Sequence, residues 1–316
     1  MKSAILFLVF NRTAETAQSF DIIRKAKPPR LYVAADGPRD FVPGEDEVCN
    51  EVRKIASNVD WECEVFTLFR TQNLGCKMAI VGAINWFFES EEQGIILEDD
   101  IIPKLDFFNF CDIMLEKYKD QSLVKAVSGF NQFGQGVKSN TYYFSRGFYA
   151  WGWATWKSRW INYKEKDIDV SRLDDKAIKA VYHKAAIEGV KFNLNIINKG
   201  ILDTWDYQML YMIMVQKGYV VAPIANLTTN IGANGAHSIN NQNIFFKYGE
   251  IAIEHLEHPE KVEDNKELNE KLWVEFKAAY LGVMFKDFLL KLNLYVLFRN
   301  LYKKIKKYIL TKFKKD

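Results

Sequence analysis

The residues best suited to chemistry are three consecutive carboxylates, Glu98-Asp99-Asp100, within GIILEDDIIP at positions 94–103. Adjacent negative charges repel one another unless a cation or hydrogen-bond donors compensate them. Oxygen donors of this kind suit Mg²⁺ or Mn²⁺, and such an ion completes its shell with substrate phosphates and water. Most acidic triplets are solvated turns. Here an apolar run precedes the triplet and Ile101-Ile102 follows it, which reads as the end of a buried strand. Ligands of open α/β sheets bind beyond that end.

Other side chains carry weaker signals. NIGANGAHS at 230–238 puts His237 in a glycine-containing loop whose amides can approach phosphates and whose imidazole can reach a metal. Ser238 is the alternative contact, and a loop histidine that only caps backbone groups is the structural alternative. Arg70 and Lys77 flank QNLGC and are either diphosphate contacts or surface cations. Four tryptophans fall between Trp151 and Trp160; they either pack as core or, through Trp153, stack against a sugar.

The elements that must position these residues follow from the hydrophobic pattern. Apolar runs at 4–10, 31–35, 61–67, 94–97 and 124–128 alternate with helical patterns at 13–27, 77–92 and 107–119. This alternation implies βαβ units and a parallel sheet with right-handed crossovers. Further on, 164–199 and 207–216 read as helical and 219–223 as a strand. The predicted fold class is α/β, a mostly parallel Rossmann-like sheet flanked by helices.

The 316 residues are 48% hydrophobic and 26% charged, ample for a globular core. The net charge of +3 divides unevenly: residues 285–316 carry +8, and the remainder −5. An acidic body argues against nucleic-acid binding, which needs a broad basic face. The four cysteines show no paired spacing, which favours a reduced, intracellular setting. The apolar run after Met1 is too short for a signal peptide or a span, and no other run reaches spanning length.

Ordered motifs over residues 4–245 add a resemblance. They are LFLVFNR, AADGPR, RTQNLGCK, ILEDDIIPKLDFFNF, AVSGFNQFG, AWGWATW, TWDYQ and NIGANGAHS. Together they resemble GT-A fold glycosyltransferases, specifically the N-acetylglucosaminyltransferase I family. The resemblance implies a metal-dependent, inverting transfer from a UDP-sugar, N-acetylglucosamine being the sugar it points to. By position it puts Arg12 and Asp36 on the nucleotide, Asp36 facing the uracil, with Asp100 as direct metal ligand and Asp99 on the ribose. Glu98 then lies towards the transferred sugar, Trp205 forms a donor-site wall, and Asn131 sits near the acceptor. Asp206 becomes the catalytic base, with Asp203 as competitor. A late histidine such as His237 is a metal ligand in many GT-A enzymes.

From residue 285, apolar positions 285, 288, 292, 295, 298, 302, 305, 309 and 313 step by three or four, with Lys and Arg between them. A basic amphipathic helix of this type lies in a membrane interface, each cation contributing about 1 kcal/mol on anionic lipid. The alternative is a terminal helix whose stripe docks on the body. The expected organisation is a catalytic domain at 1–250, a helical connector at 251–284 and a membrane-contact helix at 285–316. The expected partners are a UDP-sugar, a glycan or lipid-linked acceptor, and an anionic membrane surface. The expected location is cytoplasmic, on the inner face of the membrane of a bacterial cell. The competing functions are a sugar nucleotidyltransferase and a membrane-tethered carbohydrate-binding protein without activity.

Overall fold

The computed structural model describes residues 1–131, 141–232 and 253–312. The chain begins β1 (Ala4–Val9), α1 (Thr13–Ala26), β2 (Arg30–Ala35), α2 (Glu45–Ala56), β3 (Glu64–Phe69), α3 (Cys76–Ser90) and β4 (Gln93–Glu98). It continues with β5 (Ile101–Pro103), α4 (Leu105–Tyr118), β6 (Val124–Ser128), β7 (Tyr142–Ser145), β8 (Trp153–Trp156) and a short α5 (Lys157–Trp160). Then come α6 (Lys176–Lys179), α7 (Lys184–Asn198), α8 (Asp206–Val215), β9 (Tyr219–Pro223), β10 (Thr228–Asn230), α9 (Lys266–Lys291) and α10 (Tyr295–Lys312).

Eight strands form one sheet in the order β3-β2-β1-β4-β8-β6-β9-β7, and β10 pairs with β5 in a separate ribbon. The first four strands are mutually parallel, as is the β6–β9 pair. Strand β8 runs antiparallel between β4 and β6, and β7 antiparallel to β9. The α/β sheet expected from the sequence is therefore present, with the aromatic segment supplying its antiparallel members. The chain runs outward from β1 to β3 and returns to β4 on the other side of β1. The crevice between β1 and β4 is thus a topological switch point, where such sheets bind ligands.

Alternation along the strands builds two core layers. Ile5, Phe7, Val33, Ile95 and Leu97 face one layer with Phe20, Val52 and Phe107. Leu6, Tyr32 and Ile96 face the other with Ile84, Phe87, Met209 and Trp153. Burial on both faces explains why AILFLV reads as an unbroken apolar run instead of an alternating one.

Several assignments differ from the sequence pattern. Strand β3 starts at Glu64; Trp61 lies in the preceding turn, its indole N–H donating to Pro28 O at 2.9 Å. Residues 164–199 hold one long helix, α7, preceded by a 3-10 turn at Val170–Asp174 and the single turn α6. Helix α2 and strands β7 and β8 were not apparent in the hydrophobic pattern.

The chain forms two compact units, Met1–Glu165 with Asp203–Asn269, and Lys166–Leu202 with Glu270–Asp316. In the second, Phe192 and Ile196 of α7 pack with Leu290 of α9, supported by Val283 and Tyr295. The helical boundary expected at residue 285 falls inside α9, and the break lies at 292–294.

Candidate active site

Arg12 and the carboxylate triplet sit where two neighbouring strands end. Strand β1 stops at Val9, and Arg12 is the residue from which α1 starts. Register pairing sets Leu8 beside Glu98, so the end of β4 delivers its carboxylates next to the β1 loop. One guanidinium nitrogen, Arg12 Nη1, donates to Asp99 Oδ1 at 3.0 Å and Asp100 Oδ2 at 2.7 Å. The amide of Phe10 donates to Asp99 Oδ2 at 3.3 Å. Asn11 and Arg39 both donate to Glu45, tying the β1 loop to the start of α2.

The electrostatics of this cluster are dominated by burial. Burial pushes the Asp99 carboxyl up to about 7, against the opposing pull of Arg12. Asp100 is likewise raised by burial, with Arg12 opposing. Glu98 is raised well above its ordinary range, first by burial and then by the charges of Asp100, Asp99 and Asp206. Three carboxylates share a single guanidinium, and the site is short of positive charge.

Asp206 opens helix α8, and the Thr204 hydroxyl donates to its Oδ1 at 2.6 Å. Its charge reaches Glu98, Cys76 and Tyr163, so the start of α8 faces the cluster at the end of β4. Asp203 has a different task. Its Oδ1 accepts from the amide of Lys77 at 3.3 Å, and its Oδ2 lies where a β-carbon on Gly75 would be, 2.7 Å away. Asp203 therefore caps the start of α3 from outside, where a carboxylate is favoured. The two acidic residues thus differ in their hydrogen-bond partners, Thr204 for Asp206 and the Lys77 amide for Asp203.

Cys76, the first residue of α3, lies among Glu98, Asp203 and Asp206, and burial together with these charges pushes its thiol up to about 12. It is nonetheless exposed to solvent. Tyr163 donates to Trp205 O at 3.1 Å and senses the charge of Asp206. Neither residue was singled out from the sequence, since a lone cysteine and a tyrosine in a charged stretch carry no distinguishing pattern. Thr204, directly before Trp205-Asp206, was legible in principle as a hydroxyl two residues from the carboxylate it orients.

The remaining expected residues fall in other settings. Both Asp36 oxygens accept backbone hydrogen bonds, from Gly37, Leu74 and Gly75. Asp36 thereby shapes the loop before α3 from the end of β2; burial raises its pKa in spite of these donors. Arg70 lies along α3, donating to Ala79 O at 3.1 Å, and its charge is felt by Asp36. Lys77 contributes its amide to Asp203.

Trp205 is 2% exposed and stacks on Trp153, with ring centroids 5.4 Å apart. Both rings are core members, and neither forms a solvent-facing wall. Burial in the aromatic layer outweighed any surface role the sequence left open for them. Asn131 is also buried, donating to Ile224 O and accepting from the Tyr143 hydroxyl. His237 and Ser238 lie outside the described residues. The segment leading to them is anchored on the cluster, Ile231 N donating to Asp100 O at 2.8 Å.

Among the described residues, no three His, Cys, Asp or Glu side chains form a ready-made metal cage. The donor set still fits Mg²⁺ or Mn²⁺ in the mode where one or two carboxylates share the ion with phosphate oxygens and water. Asp100 is one of three carboxylates that a single arginine leaves short of positive charge, and could contribute to such a site.

No family model matches the sequence, and no curated protein matches it. Among solved structures, the chain is similar to S. aureus TarS 1–349 at 9% identity, over 70% of this chain and 58% of that one, with a TM-score of 0.38. It is similar to mouse xyloside xylosyltransferase 1 at 10% identity, over 69% and 82% of the two chains, with a TM-score of 0.34. A UDP-glucose pyrophosphorylase aligns at 8% identity, over 73% and 93%, with a TM-score of 0.37. At such identities the likeness concerns the fold alone, and the activity has to be argued from the site.

Proposed function

We propose that the protein is a metal-dependent, inverting glycosyltransferase that moves a sugar from a UDP-sugar to a hydroxyl of a glycan or lipid-linked glycan. The observation that carries this reading is the joint placement of Arg12, Glu98, Asp99 and Asp100 at the β1/β4 switch point, with Asp206 facing them from α8. A nucleoside diphosphate bound there brings its own negative charge, so a divalent ion held on Asp100 is needed to offset it. That ion supplies Lewis-acid stabilisation of the departing diphosphate. Arg12 orients Asp99 and Asp100, and the motif resemblance assigns Asp99 to a ribose hydroxyl. Asp206 takes the acceptor proton, its Oδ1 held by Thr204 so that Oδ2 is the basic atom. A single base and no covalent intermediate correspond to inversion.

The donor sugar in this reading is N-acetylglucosamine, which rests on the motif resemblance. Synthesis on the cytoplasmic face of a membrane, with a lipid-linked acceptor, is the setting we favour. A sugar nucleotidyltransferase needs a glycine-rich basic loop directly after the first strand. The corresponding loop here, Phe10-Asn11-Arg12, has no glycine, and its arginine is engaged with two carboxylates. A binding protein without activity has no use for a positioned Asp206.

The test is UDP release by purified protein supplied with Mn²⁺ and a panel of UDP-sugars. Release with at least one donor, abolished by EDTA, is the expected result. Failure of every nucleotide sugar to bind or turn over with metal present overturns the reading.

A further inference from the structure

The apolar stripe near the C-terminal end of the sequence has a structural fate that separates its two readings. Helix α9 ends where Asn293 adopts φ 59, a left-handed conformation asparagine tolerates better than most residues. Leu294 N donates to Leu289 O and Asn293 N to Leu290 O, the paired bonds that close a helix and let the chain restart as α10. One side of this broken pair packs within its own unit, through Val283, Leu290 and Tyr295 against Phe192 and Ile196. Arg299 adds a hydrogen bond to Ile201 O at 2.9 Å.

Those packing positions are mostly not the stripe. Of the stripe, Phe285 and Phe288 are each 56% exposed, Leu292 50%, Phe298 44% and Tyr302 67%, and beside it Leu297 is 64% and Leu301 53% exposed. They recur at helical spacing on both sides of the break. The helices therefore carry two apolar faces, one satisfied and one open to water. Large apolar side chains exposed at this density along two successive helices mark an interaction site.

Charge decides the occupant. Residues 285–316 carry ten Lys or Arg against two Asp, and Lys291 is already paired with Asp287 at 2.7 Å. A second copy of the chain would bring two such surfaces of the same sign together. A bilayer rich in anionic headgroups instead offers acyl chains to the aromatic and leucine side chains and phosphates to the lysines. Among the described residues no helix is long and apolar enough to cross a membrane, so the contact is one of lying in the interface. We infer that the open face of α9 and α10 is a docking surface for an anionic lipid bilayer. It stands on residues separate from the carboxylate cluster, and a failure of the glycosyltransferase reading leaves it intact.

The experiment is flotation of the full chain with phosphatidylcholine vesicles, with and without 30 mol% phosphatidylglycerol, in low and high salt. The expected result is binding to the anionic vesicles, weakened at least tenfold by Leu297→Asp with Leu301→Asp and by raised salt. Lys286→Gln with Lys304→Gln, which alters no packed position, should weaken it by a smaller factor. Equal binding to neutral and anionic vesicles, or indifference to both variants, overturns the inference. So does a stable dimer in light scattering that the Leu297/Leu301 variant converts to monomer, since the face would then belong to a second copy.

Discussion

Gly232 and Asp100 are packed so closely that a β-carbon on the glycine would lie 2.2 Å from Asp100 Oδ2. The glycine leads out of β10, whose pairing with β5 holds it over the carboxylate, and its amide donates to Asn230 Oδ1 at 2.7 Å. The same Asp100 oxygen accepts from Arg12 Nη1 at 2.7 Å. Neither partner can move without releasing a hydrogen bond. Gly232→Ala should therefore displace the carboxylate and reduce metal-dependent turnover by about tenfold to a hundredfold, the scale of a misplaced active-site group. A Mn²⁺ titration of UDP release measures the loss, and circular dichroism should show the fold unchanged.

The two acidic residues around Trp205 should respond differently. Asp206→Asn should keep UDP-sugar binding within a few-fold while transfer falls by roughly 10²–10⁴, the scale of general-base catalysis. Asp203→Asn weakens a cap on α3 and should lower stability by about 1 kcal/mol with a smaller effect on transfer. Chemical denaturation and steady-state kinetics on both variants separate the roles. A larger kinetic loss in Asp203→Asn would move the base to that residue.

Cys76 reports on occupancy of the cleft. Cys49 and Cys111 are buried, so in a Cys63→Ser background Cys76 is the accessible thiol. Its thiol, pushed up to about 12 by burial and by Glu98, Asp203 and Asp206, should label slowly at pH 7. The rate should rise about tenfold per pH unit, since the thiolate is the reactive form. Asp206→Asn should accelerate labelling at fixed pH, and a bound nucleotide sugar should slow it. Mass spectrometry of maleimide-treated protein follows both effects.

Glu45 couples the site to acid stability. Hydrogen bonds from Arg39 hold its carboxyl down at about 2, well below its ordinary 4.5. A depressed pKa contributes stability above the unfolded-state value, and this is lost as pH falls from about 4.5 towards 2. Glu45→Gln should flatten that part of the stability curve. Because Asn11 donates to the same carboxylate, the substitution should also loosen the loop carrying Arg12 and weaken nucleotide binding. Thermal melts across pH 2–6 and a nucleotide titration at pH 7 check the two halves.

Much of the parallel half of the sheet was legible because β1, β2 and β4 are buried on both faces and so appear as unbroken apolar runs. The carboxylates stood out for the same reason, as charges directly after such a run. Strands β7 and β8 were hidden because their aromatic-rich stretch has neither period. Trp205 shows a second limit: a tryptophan beside an acidic residue reads equally as wall or core, and only its stacking on Trp153 decides. Asp36 was legible as an acid after a strand, but its backbone partners lie nearly forty residues further on. The stop at Asn293 rests on one residue's tolerance of left-handed backbone, too faint a signal to break an otherwise continuous stripe.

In the proposed function, the end of β4 binds a nucleoside diphosphate together with a divalent ion. Calorimetric titration of UDP into the full-length protein with Mn²⁺ tests it most directly, alongside Asp100→Asn. Saturable binding that needs Mn²⁺ and weakens at least tenfold in Asp100→Asn is the predicted result. Binding that is indifferent to Mn²⁺ and to Asp100, or no binding of UDP at all, would contradict it.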